Sequence, residues 1–348
     1  MKDRVLNPII SFLTVVLVLL ACEVGLRAFK NEFSVKNFLV EHIDLFRSAY
    51  PVQYNADLGW IPKPGTSGEK NIWGTQVTIR EDGVRSNLTA ADEGILREIA
   101  PILVVGDSFT FGDEVSDNET WPAILESYLH REVINAGVFG YGLDQTYLRA
   151  VKVLSTHKPE FLIFSFIPDD VHRCELSVRT GVSKPYFEIK QDSLFLRNIP
   201  VPPPRVPDIG RVRQILGYSF FCHKLMLHAF PNFWMHGLWE EKKAHKKGQE
   251  VACRLLQRLA EISNLNGTTL IVLVQYPADN SLADIETVKS VLACLDHEEV
   301  QIVDLHEALL SLSNHDSERY RKLFGFSHLT VDGNRFVAEI LKKRIVWH

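Results

Sequence analysis

Five short apolar runs, separated by segments of helical periodicity, constrain this chain more than any other feature. Ile102–Val105, residues 132–134, Phe161–Phe166, residues 268–274 and Gln301–Asp304 read as buried strands. Helix-like segments at 121–130 and 144–156 separate the first three. Strand, helix and strand at this spacing make βαβ units, which build a parallel sheet with helices packed on its faces. The expected fold is α/β: a three-layer α/β/α domain around a central, mainly parallel sheet of about five strands. A chain of 348 residues, 46% hydrophobic and 23% charged, is long and apolar enough to bury such a core.

The alternation is interrupted once. Residues 185–207 are rich in proline, with Pro200-Val201-Pro202-Pro203-Pro204 unable to lie in a helix interior or a central strand. Helix-like segments at 212–228 and 240–263 follow before the fourth strand. Residues 171–248 are therefore expected to form an insertion, a cap beside the site, within a main domain spanning 101–348. Residues 31–100 read as an irregular extension packing on that domain, with turn signals at Lys63-Pro64-Gly65 and Glu81-Asp82-Gly83. A last helix is expected over 335–345.

The first thirty residues are of another kind. Lys2 and Arg4 precede a pure apolar run over 8–22, which continues through Val24, Leu26 and Phe29. Spanning a bilayer takes about 20 apolar residues. The extended run suffices, whereas the pure part alone has the length of a secretory leader. The preceding positive charges predict a cytoplasmic N-terminus and a single-pass anchor, with everything after Phe29 outside, on the periplasmic side. Leu19-Leu20-Ala21-Cys22 also resembles a lipoprotein acylation site, and a buried hydrophobic helix is the third reading. Cys22, Cys174, Cys222, Cys253 and Cys294 lack paired spacing, so they spell neither a zinc site nor a disulfide framework; four buried thiols, with room for one bridge, is the plain reading. A net charge of −5 without a basic stretch argues against nucleic acid as a partner.

The candidate chemistry lies where strands end. Ile102–Val105 runs into Gly106-Asp107-Ser108-Phe109-Thr110-Phe111-Gly112. A serine at the carboxyl end of a parallel strand stands where open α/β sheets bind ligands, although Asp-Ser after a strand is also an ordinary helix cap. The second strand leads into Asn135-Ala136-Gly137-Val138-Phe139-Gly140-Tyr141-Gly142-Leu143-Asp144-Gln145, and the third into Ile167-Pro168-Asp169-Asp170. Near the C-terminus stands Gly325-Phe326-Ser327-His328-Leu329-Thr330-Val331-Asp332-Gly333-Asn334.

In this order the four blocks resemble those of the SGNH (GDSL-type) hydrolase family. From about residue 55 onward they are closest to a membrane-anchored bacterial branch. Leu58-Gly59-Trp60, Asp82-Gly83-Val84-Arg85 and Lys184-Pro185-Tyr186-Phe187 match that branch, with Val84 in place of its usual aromatic residue. The resemblance implies a flavodoxin-like fold, Ser108 as nucleophile and His328 as its base. It also implies an oxyanion hole built from the backbone N–H groups of Ser108 and Gly140. Two positions depart from the family. Asp169 replaces the asparagine that completes the oxyanion hole. An ionised carboxylate offers no donor there. Either it is protonated, or the two amides suffice, or activity is reduced. Gly325 replaces the aspartate that orients the histidine, and Asp332 is a substitute acceptor or a helix cap. Asp107 and Asp170 are supporting candidates, Asp170 as a brace for its turn.

Implied substrates are acyl esters, carbohydrate esters by analogy with anchored relatives that acetylate or deacetylate extracellular polysaccharides. No metal or organic cofactor is implied, and the sequence names no protein partner. Two other readings stand beside ester hydrolysis: O-acyl transfer on the same fold, and a non-catalytic carbohydrate-binding protein that has lost its asparagine and aspartate.

Overall fold

A computed structural model describes residues 2–48, 50–66, 69–70, 74–87, 99–279, 281–296 and 298–345. The chain divides into two compact units, Met1–Ala49 with Arg205–Glu240, and Tyr50–Pro204 with Glu241–His348.

The larger unit is organised by one sheet. Its strands are β1 (Ile102–Val105), β2 (Val133–Asn135), β3 (Phe161–Phe166), β4 (Thr269–Val274) and β5 (Gln301–Asp304), hydrogen-bonded in the order β2-β1-β3-β4-β5. All neighbours are parallel: Ile102 stands opposite Val133 and Phe161, Phe161 opposite Thr269, and Ile271 opposite Gln301. This is the flavodoxin-like order, which reverses direction between β1 and β3. Every residue of β1 and β3 is buried, as a strand covered on both faces must be, and this is why these strands read as unbroken apolar runs. The expected α/β fold with five parallel strands is the one observed.

The N-terminal helix is α1 (Lys2–Lys30), and the sheet unit begins with the one-turn α2 (Ser108–Phe111), then α3 (Trp121–Leu129), α4 (Leu143–His157) and α5 (Pro168–Arg173). Thr120 caps α3 through its hydroxyl, and the apolar face of α4, including Tyr147, Ala150 and Leu154, enters the core. Small antiparallel pieces surround the sheet, among them the hairpin of Val52–Asn55 with Gly59–Pro62 and that of Tyr186–Lys190 with Ser193–Arg197.

The smaller unit has its own core of Leu39, Ile43, Ile209, Trp234 and Leu238. Around it lie α1 and the short helices α6 (Arg211–Leu216), α7 (Phe220–Ala229) and α8 (Pro231–Trp234). The stretch expected as one helix over 212–228 is thus two. Gly217 lies so close to Asn37 that a Cβ there would stand 2.2 Å from its Oδ1, and Ser219 restarts the helix by accepting from the N–H of Cys222. The helix expected from 240 begins only at α9 (Gly248–Leu265), because Lys242–Lys243 pair instead with Leu176–Arg179. The division also differs from the expected boundaries: residues 31–49 and 205–240 share the small core, whereas residues 50–66 and 171–204 belong to the sheet unit.

Cys253 on α9 and Cys294, just beyond α10 (Leu282–Leu292), form a disulfide with Cα atoms 5.7 Å apart. Of the other three cysteines only Cys174 is buried. Closing a loop of 41 residues removes denatured-state entropy worth about 4 kcal/mol in the chain-entropy view. Replacing both cysteines by serine is expected to lower the unfolding free energy by up to that amount and to steepen the denaturant slope, because the denatured chain without the cross-link exposes more surface.

Candidate active site

Gly106 ends β1, and Asp107 follows in extended conformation, its Oδ1 accepting from the N–H of Phe109 as the N-cap of α2. The cap and the nucleophile readings of Asp-Ser are therefore compatible: Asp107 caps, and Ser108 begins the turn. α2 ends at Gly112 with φ 94°, where a Cβ would stand 2.4 Å from Thr120 and 3.0 Å from Arg85. Glycine alone fits that position.

Ser108 Oγ lies 2.8 Å from His328 Nε2. The two are more than two hundred positions apart in sequence, and the sheet brings them together at the switch point between β1 and β3. The loop bearing His328 is held by Asn334, whose Oδ1 accepts from the N–H of Trp121 and whose Nδ2 donates to the carbonyls of Leu329 and Thr330. Asp332 pairs with Arg335 at 2.7 Å on the terminal helix (Val331–Ile345), one turn along the surface.

The acceptor on the far side of the imidazole is Glu114, a residue that motif reading passes over. Its Oε1 lies 3.1 Å from His328 Nδ1 and accepts from the N–H and the hydroxyl of Ser327, both at 2.9 Å, while Oε2 accepts from the N–H of Phe326. Burial alone would raise this carboxyl, but the bonds from His328 and Ser327 hold it at about 2. With the carboxylate facing Nδ1–H, Nε2 presents its lone pair to Ser108. Glu114 has φ 69°, in the left-handed region that costs a side-chain-bearing residue about 1 kcal/mol or more and that recurs at functional sites. Gly325 explains the geometry: a Cβ there would stand 2.5 Å from Glu114 Oε2. The space that an aspartate at 325 would need is filled by Glu114.

Beside this line of three stands Asp113. Its Oδ2 is 3.8 Å from His328 Nε2 and accepts from Tyr50 Oη at 2.9 Å. Burial pushes its carboxyl up to about 6 against the pull of His328, Tyr50 and Arg85. For His328, burial works against the charged form, but Glu114, Asp113 and Asp107 outweigh it and raise the imidazole above its ordinary value.

Asp169 and Asp170 begin α5 at the end of β3. Asp170 Oδ2 accepts from the N–H of Ile167 at the start of this turn. Asp169 is gripped by Arg173, whose Nε and Nη2 reach its Oδ2 at 2.8 and 2.6 Å. Burial would raise this carboxyl, yet Arg173 and Arg179 bring it below the ordinary range, so it is ionised at neutral pH. The protonated form considered from sequence is therefore disfavoured. Arg173 also donates to Asp170 Oδ1 at 2.6 Å and the Tyr141 carbonyl at 2.9 Å, and lies 3.5 Å from Asp107. One guanidinium thus compensates three carboxylates behind the serine.

Gly140, with φ 72°, sits in the loop after β2. Trp60 of the first hairpin brackets that loop: its Nε1 donates to the Phe139 carbonyl at 3.0 Å, and its own carbonyl accepts from Tyr141 Oη at 2.6 Å. Lys184, fully buried, joins the second hairpin to α4 by donating to Asp144 Oδ2 at 2.6 Å and to the carbonyls of Arg173 and Leu176. Among the described residues no cluster of metal-ligating side chains is present.

No family model matches the chain, and no curated protein does. It is similar to several solved structures. A protein of the lipolytic G-D-S-L family from Desulfitobacterium hafniense DCB-2 is 15% identical, covers 70% of this chain and 98% of its own, and superposes with a TM-score of 0.40. A catalytic mutant of an acetylxylan esterase from Geobacillus stearothermophilus is 11% identical over 72% of this chain and 95% of its own, with a TM-score of 0.42. The esterase EstA of a Pseudoalteromonas species is 12% identical over 71% and 96%, with a TM-score of 0.37. The assignment of the fold rests on strand order and register in this chain.

Two outcomes are expected from the Glu114 geometry, read as kcat/KM on an activated ester. Glu114→Gln should lower it by roughly 10²- to 10⁴-fold, the range for a lost orienting carboxylate. Gly325→Asp alone should also be impaired, since it crowds Glu114, whereas Gly325→Asp combined with Glu114→Gly should recover part of the loss. With His328 read as the base, it must be neutral to act, so activity is expected to fall as pH drops through its raised pKa. Removing Glu114 takes away the largest interaction that raises it, so the acid limb of the Glu114→Gln profile should move to lower pH. A limb that stays in place would separate Glu114 from the imidazole.

Proposed function

We propose that this chain is a serine ester hydrolase of SGNH type, held at the membrane by its N-terminal helix with the catalytic unit outside the cytoplasm. Its proposed substrates are acyl esters of carbohydrate or cell-envelope polymer. The observation that carries the proposal is the contact line from Ser108 Oγ to His328 Nε2 and from His328 Nδ1 to Glu114. Glu114 supplies the acceptor that the sequence at 325 lacks, which favours catalysis over a merely carbohydrate-binding role.

In this reading His328 removes the Ser108 proton as Oγ attacks the ester carbonyl. The backbone N–H groups of Ser108 and Gly140 receive the developing oxyanion, and the charge of Asp169 is neutralised by Arg173. The imidazolium, stabilised by Glu114, returns its proton to the leaving alkoxide. Water, deprotonated by the same histidine, then attacks the acyl-serine carbonyl, and the imidazolium returns that proton to Ser108 Oγ as the acid leaves. The apolar span Pro8–Lys30 and the Cys253–Cys294 disulfide both support an extracytoplasmic setting. The carbohydrate assignment rests on the likeness of the sequence blocks to the anchored branch.

The test is labelling of the full chain in detergent with a serine-directed fluorophosphonate. Wild type should label at one site, Ser108→Ala not at all, and His328→Ala far more slowly. Acetate release from an acetylated oligosaccharide by wild type, absent in Ser108→Ala, would extend the result to substrate class. Equal labelling of wild type and Ser108→Ala would refute the assignment.

A further inference from the structure

The smaller unit exposes apolar side chains where a water-facing surface would carry polar ones. Val212 and Ile215, close together on α6, are 64% and 71% exposed, and Phe230 and Phe233, at and within α8, are 60% and 54% exposed. Tyr218 and Leu225 are exposed between them. Concentrations of large apolar groups at a surface mark contact with a partner or a membrane.

The N-terminal helix of the same unit indicates which. Pro8–Lys30 is long and apolar enough to cross a bilayer. Within this span Glu23 accepts hydrogen bonds from Ser219 Oγ at 2.8 Å, from the N–H of Phe220 at 2.9 Å and from that of Phe221 at 2.7 Å. It also pairs with Arg27, which donates to the carbonyls of Tyr218 at 3.0 Å and Ser34 at 2.7 Å. Glu23 thus caps the start of α7 from outside that helix. A carboxylate inside a spanning segment is costly unless paired, and these contacts supply the pairing. At 1.5 Å per residue, Glu23 lies about 10 Å before the end of the helix at Lys30. The start of α7 is held at that same depth, which corresponds to the headgroups and upper acyl chains where interfacial helices seat their apolar faces. Arg211 and Lys224 lie among the apolar positions, a composition suited to anionic headgroups.

We infer that α6, α7 and α8 form a foot seated in the outer interface of the same membrane that α1 spans, with the lipid bilayer itself as the occupant of the exposed apolar surface. The inference rests on the membrane anchoring proposed above. It assigns 205–240 to lipid contact, in place of the cap beside the site expected from sequence.

The experiment uses the full chain in nanodiscs containing anionic and zwitterionic phospholipid, on a background in which Cys22 and Cys222 are serine. A single cysteine is introduced as Ile215→Cys, Phe233→Cys or, as a control within the span, Leu17→Cys, and carries an environment-sensitive fluorophore. Spin-labelled lipid should quench the fluorophore at all three positions, while aqueous iodide should leave them bright. Quenching by lipid at 17 together with quenching by iodide at 215 and 233 would overturn the foot and leave the anchor standing. Failure of lipid quenching at 17 would overturn the anchor and the foot with it.

Discussion

Arg85 is the constraint on which the geometry of the candidate site depends. It is buried, and each of its guanidinium nitrogens has an acceptor: Nε on Asp117, Nη1 on the carbonyls of Phe111 and Gly112, Nη2 on those of Gln76 and Val115. Its N–H donates to the Asn135 carbonyl, so the residue is also tied to the end of β2. One side chain therefore gathers the carbonyls on both sides of Asp113 and Glu114 and fixes the path of the chain past the nucleophile. The planar five-donor fork of arginine meets this set of acceptors; the three donors of a lysine would leave buried carbonyls unanswered. That clamp fixes the chain on either side of Glu114, and the bonds from Phe326, Ser327 and His328 hold its carboxylate in place.

The segments that frame the site act by similar means. Trp60 brackets the loop of Gly140, Lys184 closes the second hairpin onto α4 and α5, and Arg173 balances the carboxylates behind Ser108. Each is a buried polar or amphipathic group with its partners in place, the arrangement that fixes one geometry at low local dielectric. The extension before β1 and the hairpins after α5 are thus parts of the site's support.

Much of this was legible in the sequence. Runs such as Thr269–Val274 are buried on both faces and declare themselves by composition, so the strands and their parallel order follow from periodicity. Ser108 and His328 stood out as candidates because the blocks that carry them follow in the order of the family they resemble, and the structure places the two side chains 2.8 Å apart. Glu114 was not, because a glutamate after a glycine in a loop ordinarily reads as a solvated charge. Its role depends on a positive φ and on contacts with residues more than two hundred positions away. The available signal was the pair of facts that Gly325 lacks a carboxylate and that Asp113-Glu114 follows the nucleophile turn directly. The need for glycine at 217 is hidden for a related reason, since the crowding there comes from Asn37, distant in sequence.

The exchange between Gly325 and Glu114 has a consequence for how such chains are recognised and how they vary. In the proposed site, nucleophile and orienting acid come from one continuous stretch of seven residues, Ser108 to Glu114, and only the imidazole arrives from elsewhere. The loop bearing His328 is thereby relieved of carrying a carboxylate, but it must keep room at Gly325 and present the N–H groups of Phe326 and Ser327 to Glu114. A search for an aspartate three positions before the histidine would class this chain, and any that share the arrangement, as lacking an acid. The informative pattern is a correlated one: a glycine at that position together with a glutamate six residues beyond the serine.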